Sequence, residues 1–345
     1  MIFTFNYKAG RLMIKIWTPN EVTKLFRITK TKTTLLRDEA NNTIPAAERV
    51  NRGQSFVRAW KKEDLPLIGK VHGFLKPPQK TKIISIYTAK GGVLKTTMSY
   101  NFARIFALNG IRTLVVGLDV QCSVTDMLAV MPEAETIDEI SFIPGLYEAS
   151  KTSSDGGISI ENVIQKSDLI TLDFIPESIN LNLLDQKIRD AKRREYFIER
   201  LLEPIKNNYD IIIFDNAPNW NFLIQNSLVA ADVVISPVGC DIGTYKSVSQ
   251  NIGIINNYKK EMDLNWSNFI IIPTLLEKSK LSVQIEAQYR TMYPELITAQ
   301  SIRRGIKGQE SMFYNASIIE TDPSSPIASD YFDTISEVWG RITGA

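Results

Sequence analysis

Two hydrophobic rhythms alternate along most of this chain. Short apolar, β-branched runs recur at Ile83–Ile86, Arg112–Val116, Leu169–Pro176, Tyr209–Asp215, Val233–Val238 and Asn268–Pro273. Between them lie segments whose apolar residues repeat at helical spacing, such as Thr97–Leu108, which Gly110 stops, and about Asn180 to Leu202. Strands that are apolar on both faces belong in a sheet covered on both sides. The expected fold class is therefore α/β, a mostly parallel twisted sheet with helices on both faces.

The first 82 residues follow another pattern. Thr18–Pro19 starts a helix from Asn20 to about Phe26, with Val22, Leu25 and Phe26 on one face. After a turn at Arg27–Ile28, a second helix is expected from Thr29, its cap, to about Asn41, with Lys30, Lys32 and Arg37 beside Leu35 and Leu36. Arg49, Arg52 and Gly53 followed by Phe56–Trp60 predict a two-stranded wing, and Lys61–Pro66 starts another short helix. Two short helices, a tight turn and a basic second helix predict a winged helix-turn-helix. The stiff stretch Lys76–Lys82 reads as a linker. The expected division is a tail over 1–14, a small DNA-binding module over 15–75, a linker over 76–82 and an α/β domain over 83–345. The stretch from Met131 to Ser167 is the least regular and predicts a mobile loop.

Composition narrows the class without naming it. A hydrophobic fraction of 44% and a charged fraction of 23% are ordinary for a globular protein. With 40 basic and 38 acidic residues the whole chain does not announce a nucleic-acid binder, although Lys8–Lys82 is locally basic and Met131–Ser178 acidic. Cys122 and Cys240 are too few for a disulfide framework or a four-thiolate metal site. No apolar run approaches a membrane span and no secretory leader is legible, so the expected location is cytoplasmic, without membrane contact. His72, the single histidine, reads as a linker or surface residue.

The chemistry concentrates in Lys90-Gly91-Gly92-Val93-Leu94-Lys95-Thr96-Thr97, set between a strand and a helix. Glycines at 91 and 92 let the backbone approach an anion, and the amides of the loop and first helical turn converge on it. Lys95 is placed to reach β- and γ-phosphates and the Thr96 hydroxyl to ligate Mg²⁺, the division of labour of a P-loop. Ala89 and Leu94 stand where the strict P-loop pattern has glycines. Were position 94 to need positive φ, leucine would cost ~1–2 kcal/mol there. Asp119 and Asp215 end two of the apolar runs, at the edge of an open sheet where ligands bind.

The loop resembles the deviant Walker A motif, K-G-G-x-x-K-[ST], of the ParA/MinD family of ATPases. By that resemblance Lys90 reaches across a nucleotide-sandwiched homodimer to the partner's ATP. Gly117–Thr125 is similar to the family's D-x-D-P-Q motif: Asp119 and Gln121 match, whereas Gly117 and Val120 do not. The resemblance makes Asp119 a residue of hydrolysis or Mg²⁺ organisation and Asp215 a Walker B carboxylate. Leu223–Asp232 and Val233–Val238 look like the family's continuation after Walker B. Residues 15 to 70 resemble the winged helix-turn-helix of MerR-type DNA readers, with Lys30, Lys32, Arg37, Arg49 and Arg52 as DNA contacts. A second basic set, Arg303, Arg304 and Lys307, falls where ParA proteins bind DNA without sequence preference.

The implied protein is a slow, Mg²⁺-dependent partition ATPase associated with the nucleoid. It dimerises on ATP, binds DNA, is stimulated by a centromere-binding ParB-type partner and regulates its own operon. The rival is a repressor that uses nucleotide only as a switch. A MinD-like membrane ATPase needs a basic amphipathic C-terminus, where Phe332–Trp339 is acidic. An electron carrier of the nitrogenase-reductase kind needs bridging cysteines.

Overall fold

The computed structural model describes residues 16–28, 32–52, 55–129, 144–305 and 315–344. The expected tail over 1–14, the Thr29 cap, Lys30 and Lys307 lie outside them. Helix α1 (Pro19–Leu25) opens with a capping box, in which the Thr18 hydroxyl accepts the Glu21 N–H and the Glu21 carboxylate accepts the Thr18 N–H at 2.8 Å. Helix α2 (Lys32–Ala40) follows, then the antiparallel pair β1 (Glu48–Arg52) and β2 (Ser55–Ala59), then α3 (Leu65–His72). The buried Glu39 carboxylate accepts the Ala47 N–H and an Arg58 N–H, and the Trp60 indole donates to the Pro45 carbonyl, which ties α2 to the hairpin.

Seven strands build the central sheet in the order β5-β6-β4-β7-β3-β8-β9. They are β3 (Lys82–Ile86), β4 (Thr113–Leu118), β5 (Gln165–Lys166), β6 (Leu172–Ile175), β7 (Ile211–Asn216), β8 (Val233–Gly239) and β9 (Asn268–Thr274). All pairings are parallel except β5 with β6. Side chains alternate between faces along a strand. Ile84, Ile86, Val115 and Ile213 accordingly enter one core with α4 (Lys95–Leu108) and the C-terminal helix, and Ile83, Leu114, Ile212 and Phe214 enter another with α7 (Leu181–Asp190). The remaining α-helices among the described residues are α5 (Ser123–Leu128), α6 (Leu146–Ala149), α8 (Phe197–Leu202), α9 (Phe222–Ala230), α10 (Ile242–Glu261), α11 (Lys280–Met292), α12 (Ile318–Thr321) and α13 (Pro326–Thr343). No described helix is long and apolar enough to cross a membrane.

The N-terminal block shares its core with the sheet. Trp17, Val22, Leu25, Phe26 and Leu35 pack in the same cluster as Phe106, Phe332 and Trp339. The Lys76 carbonyl accepts the Trp339 indole N–H at 3.1 Å and the Leu75 amide donates to Asn109, so the start of the expected linker is anchored. His72 ends α3 with its Nε2 3.1 Å from Asp38 Oδ2 and is nearly buried, which corrects its reading as a surface or linker residue.

The single amphipathic helix expected over Asn180–Leu202 is two helices. Arg193 has φ 50° and breaks α7 from α8. The pieces dock separately on α9: Asp185 accepts the Phe222 and Leu223 N–H groups, and the Asn226 side chain accepts the Ile198 N–H. Within the irregular stretch, residues 131–143 are outside the described part, while 144–167 form α6, two short 3₁₀ turns and β5.

Candidate nucleotide and metal site

The carboxyl ends of β3, β7 and β4 lie side by side, pairing Ile86 with Asp215 and Gly117 with Asp215. Chains leaving these strands therefore converge on one edge, although the residues involved are far apart in sequence. From β3 the chain runs through residues 87–94 into α4, whose own hydrogen-bond ladder starts with the Met98 N–H on the Leu94 carbonyl. The N–H groups ahead of that bond point out of the helix end. A Cβ at Gly91 or Gly92 would meet nothing within 4 Å, so the loop presents bare backbone to open space. Gly92 takes φ 75° and Leu94 takes φ 69°, ψ 27°. The left-handed conformation on which the cost of leucine depended is present.

The Lys95 ammonium turns back over the loop and donates to the Lys90 carbonyl at 2.7 Å. Burial lowers its pKa, against the pull of the Asp215 and Asp119 charges. The Val93 carbonyl accepts the Thr274 hydroxyl from the end of β9 at 3.1 Å, an anchor no local spacing foretold. Lys90 extends toward the first turn of α10, with Nζ 3.9 Å from where a Cβ on Gly243 would stand.

Asp215 is fully buried at the end of β7, with Oδ1 accepting the Ser99 hydroxyl at 2.7 Å and Oδ2 buried without a hydrogen-bond partner. Burial raises its pKa, while the Ser99 and Thr96 hydroxyls and the Lys95 charge pull it down. An unpartnered carboxylate oxygen beside a lysine and two hydroxyls fits a hydrated Mg²⁺, a cation held through few protein oxygens and the substrate's phosphates. No cluster of three acidic, histidine or cysteine side chains suited to a metal is found among the described residues. Asp119 leaves the end of β4, its Oδ1 accepting the Gln121 N–H at 3.0 Å. The structure thus brings Lys90, Lys95, Thr96, Asp119 and Asp215 to one sheet edge.

Spacing alone did not reveal Ser99, Asn216 or Glu177. The Asn216 amide donates to the Ser85 hydroxyl and the Ile86 carbonyl, locking β7 to β3 beneath the loop. Glu177 follows β6 and accepts the Asp119 N–H at 3.2 Å. Burial, then the Asp215 and Asp119 charges, raise its pKa against the N–H groups it accepts. The β6 proline and an acid after it were the visible signal, without any means of placing them.

The described basic residues expected to touch DNA stand on different segments. Arg37 and Arg49 are exposed on α2 and β1, while the side chains of Lys32 and Arg52 are outside the described part. Arg303 donates through Nε and Nη2 to the buried Asp330 at 2.6 and 2.7 Å, and Arg304 pairs with Glu277 at 2.7 Å. Cys122, half-buried, and Cys240, buried, are both free thiols, and burial pushes Cys240 up to about 12.

Comparison with known proteins finds relatives in sequence and in fold. A family described as AAA domain matches residues 81–270. The sporulation initiation inhibitor protein Soj of Bacillus subtilis is 29% identical over 258 residues, covering 74% of this chain and 98% of its own. The chromosome partitioning protein ParA of Myxococcus xanthus is 25% identical over 263 residues, covering 76% of this chain and 89% of its own. The ATP complex of McdA(D38A) from Cyanothece superposes with a TM-score of 0.63 at 17% identity, covering 77% of this chain and 97% of its own, a likeness of fold.

Proposed function

The chain belongs to the AAA-domain family, and on that premise we propose that it is an ATPase of the ParA type working with ATP and Mg²⁺, which couples an ATP-dependent dimer to DNA binding in partition. The observation that carries the reading is the convergence of the bare Gly91–Gly92 backbone, the buried Lys95 and the half-partnered Asp215 on one sheet edge.

In this reading the amides of Gly91 to Thr97 and the Lys95 ammonium hold the phosphates, and Thr96 and Asp215 hold the hydrated Mg²⁺. The metal, when bound, neutralises charge on the phosphate oxygens. Asp119 orients water, and its loop sets where that water stands. Lys90, at the α10 edge of the site, serves the partner's nucleotide in the dimer. DNA is held by the α1–α2 block with its β1–β2 wing and by basic surface that dimerisation brings together. A ParB-type centromere-binding partner stimulates turnover, and the protein sits on the nucleoid in the cytoplasm and regulates its own operon. ATP shifts the monomer–dimer equilibrium only as far as it binds the dimer better, and DNA does the same.

The test compares ATP hydrolysis with and without non-specific DNA in the wild type, Lys90→Ala and Asp119→Ala. DNA-stimulated turnover that both substitutions abolish supports the partition motor. Nucleotide binding with no turnover under any condition sinks it in favour of a nucleotide-switched repressor, the reading that the glycine at 117 favours.

A further inference from the structure

We propose that Glu177, reaching over from the end of β6, is a positioning residue that occupies the place of the side chain absent at Gly117 and latches the Asp119 loop to the sheet; the functional part of this rests on the hydrolytic reading above. The first ground is steric. A Cβ on Gly117 would stand 2.0 Å from Glu177 Cγ and 2.6 Å from its Cδ, so a side chain at 117 and the present Glu177 exclude one another. The second is what the carboxylate does in that space. Its Oε1 accepts the Asp119 N–H at 3.2 Å, and its Oε2 accepts the Val124 and Thr125 N–H groups at 3.1 and 3.2 Å and the Thr125 hydroxyl at 3.3 Å. In return the Glu177 N–H donates to the Thr125 hydroxyl at 2.7 Å.

The latch therefore spans residues 119–125 and fastens the start of the turn after β4 and the first turn of α5 to the segment that leaves β6. Register makes this possible: β4 and β6 run parallel with Val116 opposite Ile175, so the segment that leaves β6 runs on beside the last residues of β4. A buried carboxylate is costly unless its oxygens are satisfied, and here they are satisfied by the loop that carries Asp119. Glu177 acts through Asp119. Displacing a reacting group by an ångström costs on the order of a hundredfold in rate, so a loose loop lowers turnover while the phosphate loop continues to bind nucleotide.

Four variants test it: Glu177→Ala, Glu177→Gln, Gly117→Asp and the exchange pair Gly117→Asp with Glu177→Ala. Amide hydrogen exchange over residues 117–128, the thermal midpoint, nucleotide affinity and kcat are read for each. Faster exchange over 119–125 is expected in Glu177→Ala. In Glu177→Gln, if the amide oxygen keeps the Val124 and Thr125 donors, the amide nitrogen faces the Asp119 N–H. Exchange then rises at Asp119, and kcat falls by about tenfold or more with affinity unchanged. Gly117→Asp alone collides with Glu177 and lowers the midpoint, and the exchange pair has a higher midpoint and kcat than Gly117→Asp. Unchanged exchange in Glu177→Ala, or an exchange pair no better than Gly117→Asp, overturns the latch. Loosened exchange with full kcat in Glu177→Gln overturns the positioning role. A wild type without turnover overturns the hydrolytic reading instead, and the exchange and midpoint measurements still decide the latch.

Discussion

Arg104, midway along the phosphate-loop helix, is fully buried and fastens that helix to three other parts of the chain. Its Nε and Nη2 donate to Glu320 at 2.7 and 2.8 Å, and its Nη1 and Nη2 to Asp168 at 2.6 and 3.3 Å. Asp168 also takes the Lys62 ammonium at 2.6 Å, which carries the network to the residues just before α3. Replacing Arg104 by Met keeps most of the volume and removes the charge. Glu320, with no exposed surface, then loses the Arg104 guanidinium, and removing one partner of a buried pair costs ~3–5 kcal/mol. That is a large part of the ~5–15 kcal/mol that holds a native protein together. Glu320→Gln added to Arg104→Met recovers part of the loss, because an amide oxygen still accepts the Ser317 N–H that Glu320 now accepts at 2.7 Å.

The pH dependence of this loss has a definite sign. Burial alone would lift the Glu320 carboxyl, but the Arg104 charge and hydrogen bonds outweigh it and hold the group below its usual range. Its contribution is therefore complete above the unfolded value of roughly 4.3 and disappears as pH falls through the lower native value. In Arg104→Met the burial and the Asp168 charge, which both raise the native value, face the smaller pull of the Lys62 charge, and the native value rises. The penalty is then absent below ~4.3 and grows as pH climbs through the raised value. Urea unfolding at a series of pH values reads both, with the gap between wild type and variant widest at neutral pH and closing toward pH ~4. A gap below ~1 kcal/mol at pH ~7, or one that widens on acidification, refutes the reasoning.

Leu94 is held left-handed by the phosphate loop while its side chain packs against the main core. Leu94→Gly releases ~1–2 kcal/mol of strain and loses a comparable packing term, so stability changes by less than ~1 kcal/mol, whereas Leu94→Ala keeps the strain and loses ~1 kcal/mol or more by urea unfolding. Lys95→Met removes the buried ammonium of the loop, and fluorescent-nucleotide titration should show affinity weakened by ~10- to 150-fold, as for loss of a ~1.5–3 kcal/mol charge-assisted bond. Arg303→Ala strips the buried Asp330 of its cation and costs ~1–3 kcal/mol in thermal or urea unfolding, whereas Arg304→Ala, whose exposed pair with Glu277 is worth little, changes stability by less than ~1 kcal/mol. With maleimide at neutral pH, mass spectrometry of the native protein should find Cys122 modified well before the buried Cys240, and equal rates would contradict the packing around Cys240.

Parts of the molecule whose cause is local were legible in the chain before any fold was known. Apolar runs of strand length, the Thr18–Pro19 helix start and the Lys90–Thr97 loop each carry their signal within a few residues, and the structure places elements close to where that signal stood. The fold class followed, because strands apolar on both faces require helices on both faces. Lys95 and Asp215 were legible as a pair because each ends or begins an element whose type was clear.

Features that depend on register and on neighbours distant in sequence became visible with the three-dimensional packing. The helical periodicity over Asn180–Leu202 could not show a break at Arg193, since the break is stabilised by caps and contacts on α9. Arg303 looked like free positive charge until Asp330, from α13, was brought under it. Gly117 looked like a lost acid, and the carboxylate that fills its space comes from the segment after β6, a strand that parallel pairing sets beside β4. Hydrophobic pattern selects elements because burial is counted residue by residue. Which side chains meet at the sheet edge is settled by strand order, and strand order leaves no trace in local spacing.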